Sequence, residues 1–126
     1  MERVYIEFTG HSYFSGSSTS LGIGYLGGFL AYDVGCRNID FFKDWLNDPT
    51  KRESGGNYST VIKAGNKINI YFEYDYFELD EEADSFETTV EQLNYILDRW
   101  KEACEKKPKK IIITRDGDKV AVDFEN

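Results

Sequence analysis

The side chains of this chain most numerous in any one place and able to do chemistry are carboxylates. Glu73, Asp75, Glu78, Asp80, Glu81, Glu82, Asp84, Glu87 and Glu91 fall between Tyr71 and Glu91, with no Lys or Arg among them. Three kinds of chemistry use such a run. Paired carboxylates perform glycosidase-type acid–base work, and Glu73 and Asp75, on one face of an extended strand, would stand about 7 Å apart. Any acidic strand has that spacing, and nothing else in the sequence accompanies it. A calcium loop of the EF-hand type needs alternating acids, a glycine at its sharp turn and a closing Glu, yet no Gly occurs from Tyr71 to Glu91. The third use is recognition, in which a negative patch meets a basic protein surface. Tyr71, Phe72, Tyr74, Tyr76, Phe77 and Phe86 are interleaved with the acids, and Tyr gives interfaces rigid contact area with one polar tip. Periodicity assigns Phe72, Tyr74 and Phe86 to the core. The expected partner-binding set is therefore Tyr71, Glu73, Asp75, Tyr76, Phe77, Glu78, Asp80, Glu81 and Glu82.

Other reactive residues are sparse. His11 is the single histidine, in a loop with Ser12, Ser15, Ser17 and Ser18, so a zinc site or a nucleophile–His pair has one imidazole at most to draw on. Gly22-Ile-Gly-Tyr-Leu-Gly27 matches GxGxxG, but a dinucleotide site needs an apolar strand just before it and a helix just after. A Ser-rich stretch precedes it, so a glycine-rich hairpin packed closely on aromatics is the expectation. Cys36 and Cys104 stand in no CxxC arrangement and read as two free thiols of a reducing cytoplasm, a single disulfide being the alternative. Lys106-Lys107-Pro108-Lys109-Lys110 reads as helix capping and solubility. No catalytic residue, cofactor or metal ligand is expected, and the chain is read as a binding protein and not an enzyme.

The 126 residues carry net −8. The segment from Tyr71 to Glu91 is −9, which leaves +1 for the rest. Such a domain lacks the clustered cations that phosphate binding requires, so nucleic acid is excluded as a direct ligand. With 40% apolar residues the chain is too rich for disorder and is sized for one domain, residues 1–126. The uncharged stretch Thr9–Tyr32 holds six Gly and seven Ser or Thr, which argues against a membrane span. No signal peptide is visible, and a cytoplasmic location is expected.

The elements that must position these residues follow from periodicity. Val4, Ile6 and Phe8 alternate as in a strand. Gly10–Ser20 reads as a loop, and Leu21–Val34 as a hairpin turning at Gly27-Gly28. Asn38 caps a short helix with an Ile39, Phe42, Trp45-Leu46 stripe, ended by Asp48-Pro49. Pro49–Tyr58 reads as a polar loop. Ser59–Ala64 and Ile68–Tyr74 form a hairpin at Gly65-Asn66. A long helix is expected from Asp84 or Ser85 as cap, with Phe86, Val90, Leu93, Leu97, Trp100 and Cys104 on one face. Ile111–Arg115 and Asp118–Phe124 close a second hairpin at Asp116-Gly117. The expected fold class is α+β: an antiparallel sheet of about five to seven strands with two helices packed on one face.

The stretch Asn38-Ile-Asp-Phe-Phe-Lys-Asp-Trp-Leu46, then Gly55-Gly-Asn57, then the aromatic and acidic strand Ile70–Phe77, resembles the immunity proteins of bacterial contact-dependent growth inhibition systems. The resemblance covers under half the chain and is one of texture and arrangement. It implies a cytoplasmic antitoxin that binds the C-terminal toxin domain of a secreted effector, often a nuclease, and blocks its active site. A basic protein partner is therefore expected. The alternative is a small-ligand or subunit-binding α+β module without catalytic activity, using Gly10–Gly28 as the lip of a pocket.

Overall fold

Isoleucine and valine at alternate positions of Glu2–Phe8 (β1) and Lys110–Asp116 (β7) build the centre of one sheet. A computed structural model describes residues 1–55, 58–72 and 84–126. In it Val4 lies opposite Ile113 and Ile6 opposite Ile111, with all four side chains buried. Lys119–Glu125 (β8) extends this face, placing Val122 beside Ile113 and Phe124 beside Ile111. On the other flank Tyr13–Ser18 (β2) pairs with β1, so the sheet order is β2-β1-β7-β8, all antiparallel. A second antiparallel sheet, β3-β4-β5-β6, runs in chain order through Glu53–Gly55, Ser59–Ala64, Lys67–Phe72 and Ser85–Thr89. Val61, Ile68, Ile70 and Phe86 form its buried face.

The α+β class expected from the sequence is what forms, with eight strands in two sheets among the described residues in place of one sheet. The helices among the described residues are α1 (Leu21–Gly28), which continues into a π-helical segment over Phe29–Val34, α2 (Ile39–Asn47) and α3 (Val90–Lys106). The hairpin expected over Leu21–Val34 is thus a helix. Its glycines explain both the misreading and the position. A Cβ at Gly22 would stand 2.8 Å from the Ser85 carbonyl oxygen of β6, and one at Gly27 2.6 Å from Ser15 Oγ of β2 and 2.8 Å from Val4 of β1. The helix is wedged between the two sheets, and only bare backbone fits against both. The GxGxxG glycines meet protein on these faces, which leaves no phosphate cradle. The loop expected over Gly10–Ser20 contains β2, whose Ser15 and Ser18 provide the small surface against which Gly27 and Gly24 settle.

Two further corrections concern the long helix. It begins at Val90, capped by Thr89, whose Oγ1 accepts from Gln92 N at 3.2 Å. The capping box expected at Asp84–Glu87 does not form, because Phe86 and Thr88 alternate inward and make Ser85–Thr89 a strand. Glu87 therefore stands on the sheet, where it pairs with Lys67 at 2.5 Å. From Leu93 on, the expected stripe holds, with Leu93, Leu97 and Trp100 buried and Cys104 half-buried. The polar loop after Pro49 contains the short edge strand β3. The cysteines are not free: Cys36 and Cys104 are joined by a disulfide, with Cα atoms 5.7 Å apart.

The C-terminus of α2 is closed by a side chain from the second sheet. Lys63 points inward from β4, 8% exposed. Its Nζ donates to the carbonyls of Trp45 (2.9 Å), Leu46 (3.0 Å) and Asp48 (2.7 Å) and lies 4.9 Å from the Trp45 ring centroid. Trp45 O also accepts from Asp48 N at 3.3 Å and Asp48 O from Lys51 N at 3.2 Å. Lys63 thus adds a charged donor to both and serves Leu46 O as well, while its ammonium sits at the negative end of the macrodipole.

Gly28 provides the sharpest test of the wedge. A Cβ there would overlap the Tyr58 ring. Alanine is normally the better helix former by about 1 kcal/mol, yet Gly28→Ala should destabilise the protein by about 2 kcal/mol or more through overpacking. In a Tyr58→Ala background the same substitution should be neutral or stabilising. Urea unfolding of the four proteins reads this cycle, and additive effects would contradict it.

Candidate functional site

The acidic segment enters and leaves the fold at one place. Of the nine residues expected to bind a partner, Tyr71 lies within the described residues. It is half-buried on β5, opposite Thr60 of β4 and Ser85 of β6. Alternation from the inward-facing Ile70 places it on the outer face of the second sheet. Glu73, Asp75, Tyr76, Phe77, Glu78, Asp80, Glu81 and Glu82 lie outside the described residues. The residues on either side of them, Phe72 and Asp84, adjoin the paired residues Tyr71 and Ser85. Residues 73–83 therefore connect two neighbouring antiparallel strands at that end of the sheet.

Four aromatic rings gather where β5 ends. Tyr25 of α1 stacks on Phe72 with centroids 6.1 Å apart, Phe72 meets Tyr58 edge-on at 5.1 Å, and Tyr58 meets Tyr32 of the π-helical segment edge-on at 5.1 Å. Glycine permits this row, since the Tyr58 ring lies against the bare backbone of Gly28. The π-helical bonding, with Gly35 N donating to Leu30 O at 2.8 Å, turns Tyr32 outward and Asp33 inward. Tyr32 is 48% exposed and its hydroxyl accepts from Ser15 N at 3.2 Å. Asp33 is 7% exposed, and its Oδ1 accepts from Tyr58 N at 3.0 Å, which ties the π-helical segment to the start of β4. Burial, reinforced by Tyr32 and Asp33, pushes the Tyr58 hydroxyl above its ordinary pKa, so it remains a neutral donor at physiological pH. None of Tyr25, Tyr32 and Tyr58 belongs to the expected set. Their sequence spacing follows no period, and the row exists only because α1 lies against the second sheet.

Beyond Tyr32 the surface drops into a cleft of about 430 Å³. Tyr13 and Trp100 form its floor, 5.2 Å apart and buried. Both are pinned through their polar atoms. Trp100 Nε1 donates to Gly35 O at 2.7 Å, and the Tyr13 hydroxyl lies 3.2 Å from the carbonyls of both Ala103 and Pro108. Burial also raises the Tyr13 pKa. Phe8 and Tyr32 form walls, the Cys36–Cys104 disulfide lies alongside, and His11, Arg37 and Lys107 stand at the mouth. Gly10, His11 and Ser12 line the same cleft. His11 was expected as an isolated loop histidine, and the fold brings it to this cleft.

No group of three or more His, Cys, Asp or Glu among the described residues is arranged to hold a metal ion. Among these residues, no helix is long and apolar enough to cross a membrane. Set against protein-family models, curated proteins and solved structures, the chain matches none of them.

Proposed function

We propose that this chain is a stoichiometric protein inhibitor, an immunity protein that binds and neutralises a toxin domain and acts by binding without catalysis. The observation that carries the reading is charge placement. Residues 73–83 hold six acids and no base, and they join strands at the end of the sheet where Tyr25, Phe72, Tyr58 and Tyr32 gather. A nuclease carries a basic substrate groove. An acidic, aromatic-rich segment complements such a groove in charge, and its field accelerates encounter. Aromatic anchors beside the charge supply the desolvated contact area that long residence requires. Cytoplasmic action belongs to the same proposal. The disulfide pulls the other way, since such bonds persist in oxidising compartments.

The test begins with full-length protein immobilised in extract of its native host, which should retain a basic protein of comparable size. Association of that partner is then followed by stopped flow. The variant Asp75→Asn, Glu78→Gln, Asp80→Asn, Glu81→Gln should slow association by roughly ten- to a hundred-fold at low salt, and the gap should shrink as salt rises. Unchanged association and protection in this variant would remove the acidic segment from the interface.

A further inference from the structure

The cleft floored by Tyr13 and Trp100 has no part in the inhibitor reading, and three observations bear on what it takes. Its volume of about 430 Å³ lies in the range of small-molecule sites, and four of its side chains, Phe8, Tyr13, Tyr32 and Trp100, are aromatic. Its mouth carries His11, Arg37 and Lys107, none of which forms an ion pair among the described residues. This occurs in a chain of net −8. The acid lining the cleft, Asp33, is buried and accepts from Tyr58 N. Finally, Lys107 has φ of 52° and is the non-glycine residue with positive φ among those described. It occupies the left-handed position that ends α3, which glycine fills without steric cost. A lysine standing there against backbone preference points to a use for its side chain.

We propose that the cleft binds a small organic anion with a flat body, an aromatic carboxylate, its ring between Phe8 and Tyr32 above the buried Tyr13–Trp100 pair and its carboxylate between Arg37 and Lys107. The guanidinium of Arg37 matches a carboxylate with two parallel N–H donors, and Lys107 adds a mobile point charge. Cys36 immediately precedes Arg37, and Cys104 lies one helical turn before Lys107. The disulfide thus ties together the two backbone segments that carry the cations. Inorganic phosphate would satisfy the cations alone, and a neutral aromatic the walls alone. The cleft selects for both in one molecule.

The test titrates full-length, oxidised protein with 2-naphthoate, 2-naphthamide, acetate and inorganic phosphate, followed by calorimetry and by amide and indole NMR shifts. Naphthoate should saturate with a submillimolar Kd and shift the Trp100 indole and the Gly10 and Gly35 amides. The other three probes should bind at least roughly ten-fold more weakly. Arg37→Gln and Lys107→Gln should each weaken naphthoate by roughly five-fold. Lys107→Gly separates the site from the cap, since it should raise Tm while weakening naphthoate as Lys107→Gln does. No saturation by roughly 10 mM naphthoate, equal affinity for naphthamide or phosphate, or unchanged affinity in the Arg37 and Lys107 variants would each overturn the proposal.

Discussion

Reducing the Cys36–Cys104 bond is expected to lower the stability of the domain by about 4 kcal/mol. The two cysteines are 68 positions apart, so the bond closes a long loop and removes much of the freedom of the unfolded chain. In the folded state it joins the turn after the π-helical segment to the last turn of α3. The Trp100–Gly35 hydrogen bond holds the same two pieces together without it. Reduction should therefore leave the fold intact while lowering Tm by about 15 °C for a domain of this size. Thermal unfolding with and without reductant measures the change. A Cys36→Ser, Cys104→Ser double variant gives the same loss with no reductant present. If the double variant unfolded at the oxidised protein's temperature, the bond would carry none of the stability assigned to it. In a reducing compartment the protein works at the lower stability, so the redox state of the purified protein bears directly on where it acts.

Lys63→Met should cost roughly 3 kcal/mol. Methionine keeps the length and the contact with Trp45 but removes the ammonium from three carbonyls at the end of α2. Those oxygens lie where water reaches them poorly, and the loss of a charged donor to a buried acceptor exceeds that of a neutral one. Lys63→Arg should be nearly as damaging, because a planar guanidinium cannot turn three N–H groups onto three convergent carbonyls in the same space. Chemical denaturation gives both numbers. The helical signal of α2 should fray first, seen as fast amide exchange in Asp44–Asn47. Arg at full stability, or Met within about 1 kcal/mol of the parent, would show that the backbone donors already on Trp45 O and Asp48 O suffice without the ammonium.

What could be read in advance depended on whether an element's pattern comes from its own burial or from its neighbours. The hairpins at Gly65-Asn66 and Asp116-Gly117, the stripe of α2 and the later turns of α3 were legible, since each has one buried face and a local stop signal. Helix α1 was not. It is buried against both sheets, its glycines answer to Ser15, Ser85 and Tyr58 across the fold, and alternating Gly in Leu21–Tyr25 imitates a strand. β2 was hidden because serines stand where an inner face normally carries aliphatic residues. The start of α3 misled because acids suit a helix N-terminus, although Phe86 and Thr88 alternate like a strand. Two sheets instead of one follow from α1 occupying the space between them. For the candidate site, composition marked the acidic segment and Tyr71. The ring row and the cleft join residues from β1, β2, α1, the π-helical segment, β5 and α3, and no local spacing encodes that meeting.

The pairing of β1 with β7 has a consequence for how the molecule is made. β3 to β6 follow one another in the chain and pair in that order, so this meander completes itself as it is synthesised. The other sheet draws half its strands from the first elements and half from the last. Until β7 emerges, β1 and β2 are a two-stranded ribbon with an open edge. Ribosomal synthesis thus yields a half-finished molecule whose adhesive edge waits for a distant segment. Anything that delays that segment lengthens the interval in which the edge is exposed to other chains.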